Sequence, residues 1–325
     1  SEIYPGYSLK DSLDPPLSLK LRDYQQDIVN VCLKIGRGVI VLATAGGKTL
    51  TIASLVENIY RNNPNFKCLI VVPDLGLVNQ TSSDFREYNT TFLHSKWTGN
   101  SKLNMGSNVI IANMGILQSN KSDVSWTQHV DLLIIDEVHK LRRDNKINTI
   151  IKKIRTSHKF GFTGTMPEQT IDQWNIIGRI GPILYEKNSF QLRSQEYIAK
   201  AKVQVLKIEY NDKPPTYTND RFDPSAKYRR ESQFIAKHPF RNNIISKLSQ
   251  RFDNNCLILV DYIEHGEELY GILKSTCKDK QVFFIRGEVA VEDREEVKKL
   301  IESNKDVVCI AISKIFSTGI NIKNL

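Results

Sequence analysis

Short runs of Val, Ile and Leu recur along the chain, and between them apolar residues return every three or four positions. A continuous apolar run of four to eight residues fits a strand buried on both faces, whereas the longer period fits an amphipathic helix. In the first half the runs are Val39 to Leu42, Cys68 to Val72, Val109 to Ala112, Leu132 to Ile135 and Phe160 to Thr163. Ile52, Leu55, Val56 and Ile59 fall on one helical face, as do Ile147, Ile150, Ile151 and Ile154. The pattern predicts an α/β domain whose parallel sheet, of at least five strands, is covered by helices.

A shorter series follows, with strand candidates Leu257 to Val260, Val282 to Ile285 and Val307 to Ile312. Helical spacing joins Leu269, Ile272 and Leu273, and again Val297, Leu300 and Ile301. Asn211 to Pro224, rich in Pro, Asn and Asp, reads as a hinge between the series. The expected organisation is an extension over 1–20, a first domain over 21–206, a linker over 207–226 and a second domain over 227–325. Three strands leave the second sheet half built at Leu325, and Ser1 is not Met, so the sequence is expected to be part of a longer protein.

Composition narrows the class. With 40% apolar and 25% charged residues the chain has the make-up of a globular protein of two ordinary domains. It has no 18-residue apolar run and its first residues are polar, which predicts neither a membrane span nor a secretory signal, and hence a cytoplasmic protein. The five cysteines, Cys32, Cys68, Cys256, Cys277 and Cys309, contain no C-x-x-C pair, which argues for buried thiols over a disulfide framework or a zinc site. A formal charge of +9 favours a polyanionic partner without settling one.

The chemistry concentrates where the first strand run meets the first helix. Leu42 leads into Ala43-Thr44-Ala45-Gly46-Gly47-Lys48-Thr49, and the helix of Ile52 follows directly. Strand, small-residue loop, Lys-Thr and helix form the context of a phosphate-binding loop. Small residues let backbone N–H groups approach phosphates, and the helix places its positive end there. Lys48 is expected on the β- and γ-phosphates of ATP and Thr49 on Mg²⁺. The strict G-x-x-x-x-G-K-[ST] pattern is not met, because its first position is Leu42.

A partner motif closes the apolar run Leu132 to Ile135: Asp136-Glu137-Val138-His139. In a parallel sheet the carboxyl ends of the strands form the ligand edge, and the phosphate loop leaves its strand there too. Two adjacent carboxylates then divide the work, Asp136 toward Mg²⁺ and Glu137 toward the attacking water.

This loop with Asp-Glu-x-His resembles the DExH kind of superfamily 2 helicases, and further motifs follow in that family's order over roughly residues 20–325. Leu21-Arg22-Asp23-Tyr24-Gln25 resembles the adenine-reading Q motif, which implies Gln25 as a base contact. Val72-Pro73 with Leu77 and Gln80 resembles a motif that holds the nucleic-acid backbone, and Gly99 and Ile111-Ala112-Asn113-Met114 sit where the next such motifs lie. Thr163-Gly164-Thr165 resembles the motif that couples hydrolysis to strand movement, with Gly164 where many relatives have Ala. In the second domain Leu257 to Tyr262, Gly287-Glu288 with Arg294, and Ile312-Ser313 with Phe316 to Ile320 resemble the later motifs. Gly287, Ser317 and Thr318 are thereby implied on nucleic acid and Gly319 on ATP. The run Ser317 to Leu325 is most similar to phage recombination helicases of the UvsW type. The family's arginine-finger motif would follow Leu325, so residues 1–325 alone are expected to hydrolyse ATP weakly.

The resemblance implies two RecA-like domains of the P-loop NTPase kind and a nucleic-acid-dependent ATPase with ATP and Mg²⁺ as cofactors. It implies a DNA helicase or translocase acting as a monomer in recombination, repair or fork processing, in the host cytoplasm if phage-encoded. Contacts to DNA would run to the backbone with little sequence preference. An RNA helicase of the DExH kind, a restriction-system translocase subunit and a nucleic-acid-binding scaffold with an inactive ATP site are the alternatives. Three smaller readings stay open. Trp97 stacks on a base or packs as an ordinary aromatic; His139 couples the ATP site to Thr163 or is structural; Lys227-Tyr228-Arg229-Arg230 touches nucleic acid or starts a solvated helix.

Overall fold

A computed structural model describes residues 17–142, 145–198, 202–214, 223–286 and 303–313. The chain divides into two compact units, Ser1–Ala201 and Lys202–Leu325. In the first, the elements run α1 (Asp23–Ile35), β1 (Arg37–Leu42), α2 (Lys48–Asn62), β2 (Cys68–Val72), α3 (Leu75–Glu87), β3 (His94–Trp97), β4 (Val109–Asn113), α4 (Met114–Gln118), β5 (Leu132–Asp136), α5 (Lys146–Lys153), β6 (His158–Thr163), α6 (Thr170–Arg179), β7 (Ile183–Lys187) and α7 (Ser189–Ser194).

The seven strands form one sheet in the order β3-β4-β2-β5-β6-β1-β7, with every pair parallel. The five expected runs are β1, β2, β4, β5 and β6, and all five lie inside the sheet with both faces covered. Successive residues of β1 show why the run is continuously apolar. Ile40 and Leu42 belong to the core that holds Ile28, Ile52, Leu55 and Phe85 on one face, while Val39 and Val41 belong with Ile147, Ile151 and Ile176 on the other. Truncating one such fully buried Leu or Ile to Ala costs about 2–5 kcal/mol.

The two edge strands, β3 and β7, have no counterpart among the expected runs. Each is paired on one side only, and each carries polar residues that break the apolar pattern. Trp97 of β3 is 6% exposed and meets Trp126 edge-on at 5.4 Å, so it belongs to the core and is not free to stack on a base.

The second unit contains α8 (Pro224–Ala236), α9 (Pro239–Arg251), β8 (Cys256–Val260), α10 (Ile263–Thr276), β9 (Gln281–Ile285) and β10 (Val307–Ile312). Its strands are parallel in the order β8-β10-β9. Leu269 and Leu273 of α10 share a core with Val308, Ile310 and Val260, as their helical spacing predicts. The helix expected around Val297, Leu300 and Ile301 lies outside the described residues. Lys227 to Arg230 occupy the first turns of α8, which Asp223 caps by accepting the Ala226 N–H at 2.9 Å. Among the described residues no helix is long and apolar enough to cross a membrane. Cys32, Cys68, Cys256, Cys277 and Cys309 are all free thiols.

Candidate functional site

Because all strands of the first sheet are parallel, their carboxyl ends share one edge, where ligands bind in such sheets. The strand order divides that edge. The ends of β5, β6 and β1 are contiguous and carry Asp136-Glu137, Thr163-Gly164-Thr165 and the loop Ala43 to Thr49. The ends of β3, β4 and β2 are contiguous on the other half, and carry Gly99, Asn113 and Pro73, with Gln80 on the following α3. Sequence order does not separate the two groups; the crossovers do.

The loop turns tightly between β1 and α2. Ala45 and Gly47 both adopt positive φ, at 64° and 77°, and the Gly46 N–H closes onto the Ala43 carbonyl at 2.9 Å. A Cβ on Gly47 would collide with the side-chain amide of Gln25. Leu42, the departure from the strict pattern, is fully buried beneath the loop, and a Cβ on Gly46 would lie 2.7 Å from its Cγ. The small residue that the turn requires is therefore Gly46, which makes room for the larger Leu42. Lys48 and Thr49 open α2, whose first N–H groups and dipole face the loop.

Lys48 reaches across to the acidic pair: its Nζ lies 3.1 Å from Glu137 Oε1. The other carboxylate oxygen of Glu137 is 3.2 Å from His139 Nδ1, which is also 2.8 Å from the Thr163 hydroxyl. That hydroxyl donates its only proton to the Thr165 carbonyl at 2.8 Å, so it accepts from His139 and places a proton on Nδ1. A continuous polar path thus runs from Lys48 through Glu137 and His139 to Thr163 and Thr165.

The two neighbouring carboxyls differ sharply. Asp136 is 8% exposed, and burial pushes its pKa up to about 6, against the opposing pull of Lys48. Its Oδ1 accepts the Glu137 N–H at 2.9 Å. Burial also acts to raise Glu137, but the hydrogen bond from His139 and the charge of Lys48 outweigh it and bring Glu137 down to about 2. Glu137 stands at φ 52°, a left-handed conformation that costs a residue with a side chain on the order of 1–3 kcal/mol. With Ala45, it puts backbone strain in both loops that flank the site.

Gln25 is 2% exposed, and its amide bridges the start of α1 to the loop. Oε1 accepts the Arg22 N–H at 2.9 Å, while Nε2 donates to the Gly46 and Gly47 carbonyls at 3.2 Å each. Three further residues, Tyr24, Lys187 and Tyr197, gather behind the same loop. The Tyr24 hydroxyl donates to the Gly46 carbonyl at 2.8 Å and the Lys187 carbonyl accepts the Ala43 N–H at 3.0 Å. Lys187 Nζ lies 4.6 Å from the centre of the Tyr24 ring, which meets Tyr197 edge-on at 5.0 Å. Position beside Gln25 is the one sequence signal for Tyr24; Lys187 and Tyr197 have none, since β7 and the segment after α7 reach the loop only through the fold.

On the other half of the edge, Gly99 is exposed in the turn closed by Thr98 and Ser101, and Asn113 ends β4 at the start of α4. In the second unit the Ser313 hydroxyl lies between the Val260 carbonyl and the Asp261 carboxylate, joining the ends of β10 and β8. Gly287, Glu288, Arg294, Phe316, Ser317, Thr318 and Gly319 lie outside the described residues.

Residues 18–168 match the family described as "Type III restriction enzyme, res subunit". The chain is 28% identical over 311 residues to the ATP-dependent DNA helicase uvsW of Enterobacteria phage T4, covering 93% of this chain and 60% of the relative. It is 30% identical over 211 residues to the DNA 3'-5' translocase XPB2 of Sulfurisphaera tokodaii, covering 64% of this chain and 45% of that one. The chain thus spans between 45% and 60% of the length of these relatives. In fold it is similar to the ATP-dependent Type ISP restriction-modification enzyme LlaBIII bound to DNA, with a TM-score of 0.65 at 15% identity, over 94% of this chain and 25% of that one. A parallel α/β sheet with the phosphate loop and the Asp-Glu-x-His motif on one edge, together with these sequence matches, makes the chain similar to the superfamily 2 helicases.

Proposed function

We propose that the chain is the ATP-driven motor of a DNA helicase or translocase that remodels duplex or branched DNA in recombination, repair or fork processing. The observation that carries this reading is the path Lys48–Glu137–His139–Thr163, which ties a phosphate loop to a carboxylate pair and onward to the adjoining strand end. DNA as the substrate is supported by the helicase and translocase relatives. Residues 21–206 and 227–325 serve as the two motor domains, with 207–226 between them.

The residues of the loop fit a nucleoside triphosphate. Gly46 and Gly47 let the loop turn tightly over Leu42 and against Gln25, and Lys48 sits at the start of α2 as a cation for the β- and γ-phosphates. Thr49 and Asp136 offer the hydroxyl and carboxylate of a Mg²⁺ site, and the buried Asp136 has the hard oxygen donor such an ion takes. When bound, the ion neutralises charge that develops on the phosphates. Glu137 orients and polarises the attacking water, and its hydrogen bond from His139 and the charge of Lys48 keep it ionised. Lys48 is paired with Glu137, so transfer of Lys48 to phosphate releases the base for work. His139, Thr163 and Thr165 pass the state of the site to the rest of the edge. Pro73, Gln80, Gly99 and Asn113 there, with Gly287, Ser317 and Thr318 of the second domain, hold the nucleic-acid backbone, and Gly319 meets ATP. Such contacts make binding salt-dependent and tolerant of sequence.

ATP turnover measured with forked DNA, duplex DNA and RNA tests the reading. Stimulation by DNA is expected; stimulation by RNA alone would move the protein to the RNA helicases. The res-subunit match supports a second reading, a translocase subunit of a restriction system, for which ATP-dependent DNA cleavage by the full-length protein with its partner subunits is the deciding assay.

A further inference from the structure

The direction of the phosphate loop's amides is set from behind, by α1. In a trans peptide the C=O and the following N–H point in opposite directions. The Gly46 carbonyl is held on its outer side by two donors, the Tyr24 hydroxyl at 2.8 Å and Gln25 Nε2 at 3.2 Å. Its own peptide partner, the Gly47 N–H, must therefore face the other way, into the loop. The Gly47 carbonyl is held likewise, by Gln25 Nε2 and by the N–H and hydroxyl of Thr51 at 3.1 and 3.0 Å, which fixes the Lys48 N–H.

Tyr24 is itself immobilised. It is 2% exposed, its hydroxyl accepts from Arg22 at 3.1 Å, and its ring is enclosed by Lys187 Nζ and Tyr197. Arg22 in turn covers the Tyr197 ring at 5.2 Å. A buried phenol normally finds a partner for its hydroxyl proton, and here that partner is the loop itself.

We propose that Tyr24 is a positioning residue for phosphate binding, acting through the Gly46 peptide rather than through the nucleotide base. The inference rests on the reading of this loop as the ATP site. Tyr24 presents no group to a ligand; it orients the amide that does. Its contribution is thus independent of the base and follows the phosphate contacts.

The test is Tyr24→Phe in the full chain, which removes the hydroxyl with its bond to the Gly46 carbonyl and the one it accepts from Arg22, and keeps the ring with its contacts to Lys187 and Tyr197. Melting without nucleotide checks that the variant is folded. Equilibrium binding of ATP, GTP and inorganic tripolyphosphate is then compared with the unaltered chain. The expected result is a loss of about threefold to tenfold, the range of a single hydrogen bond, equal for all three ligands. The ratio of ATP to GTP affinity stays as in the parent. Unchanged affinities, or a loss for ATP with tripolyphosphate unaffected, would overturn the assignment. If the unaltered chain binds none of the three, the ATP-site reading falls and this inference with it, whereas parent-like binding by a folded Phe variant removes the inference alone.

Discussion

His139 Nδ1 and the Thr163 hydroxyl meet at 2.8 Å, and the hydroxyl's donation to Thr165 leaves it only an acceptor toward the imidazole. The pair joins the loop after β5 to the end of β6, so it links the carboxylates to the adjoining motif through side chains alone. Thr163→Val keeps the shape and deletes the bridge. Nucleic-acid stimulation of ATP turnover should fall by about fivefold to a hundredfold, with unstimulated turnover much less affected. A stimulation factor equal to the parent's would show that the coupling runs elsewhere.

Lys48 and Glu137 neutralise each other at 3.1 Å, and the two substitutions that break the pair have different consequences. Glu137→Gln removes the base but leaves Lys48 free for phosphate, so ATP binding should persist while turnover drops about 10²- to 10⁴-fold. Lys48→Ala removes the cation for the phosphates and should abolish ATP-driven unwinding. Binding assays and steady-state turnover on each variant separate the two roles; parent-like turnover in either would refute its assignment.

The sequence reveals those parts of the fold in which one physical effect dominates. An interior strand such as β5, with Leu132 to Ile135, needs apolar residues on both faces and so stands out as an unbroken run. The edge strands do not: His94 and Lys96 of β3 meet Ser82 and Asn79 of α3 through polar contacts, and Glu186 of β7 is exposed. The same limit applies to the site. Lys48 and Asp136-Glu137 are legible because their motifs are local. The loop's brace is not, since Lys187 and Tyr197 lie far along the chain from Gly46 and reach it through the pairing of β7 with β1.

Gly164 tests how closely the strand end of β6 approaches the phosphate loop. A Cβ built there would meet Thr44 Oγ1 at 3.5 Å, the Thr44 nitrogen at 3.7 Å and the Leu42 carbonyl at 3.9 Å, all ordinary contacts, and its backbone is outside the left-handed region. Gly164→Ala should therefore leave turnover unchanged and raise stability by about 0.4–1 kcal/mol through the unfolded chain. Gly47→Ala is the contrasting change. It combines positive φ with a collision against Gln25 and should destabilise the loop by more than about 1 kcal/mol while weakening ATP binding. Thermal melting of the two variants side by side checks both signs.

His265 should make the second unit acid-sensitive. The imidazole is 5% exposed, and burial, assisted by Arg241 at 3.1 Å, lowers its pKa from 6.5 to about 4 against the weaker pull of Asp261. Between about pH 6.5 and 4 the unfolded chain takes up a proton that the folded unit refuses, so stability falls as pH drops across that window. The full difference is on the order of 3 kcal/mol, reached once pH is below about 4 and absent above the unfolded value. Denaturant unfolding of the full chain, followed through the second unit at about pH 7.5 and about pH 5, should show the larger part of this loss. His265→Gln, which still offers Arg241 an acceptor but cannot be protonated, should flatten the dependence; an unaltered slope in that variant would assign the acid sensitivity to other groups.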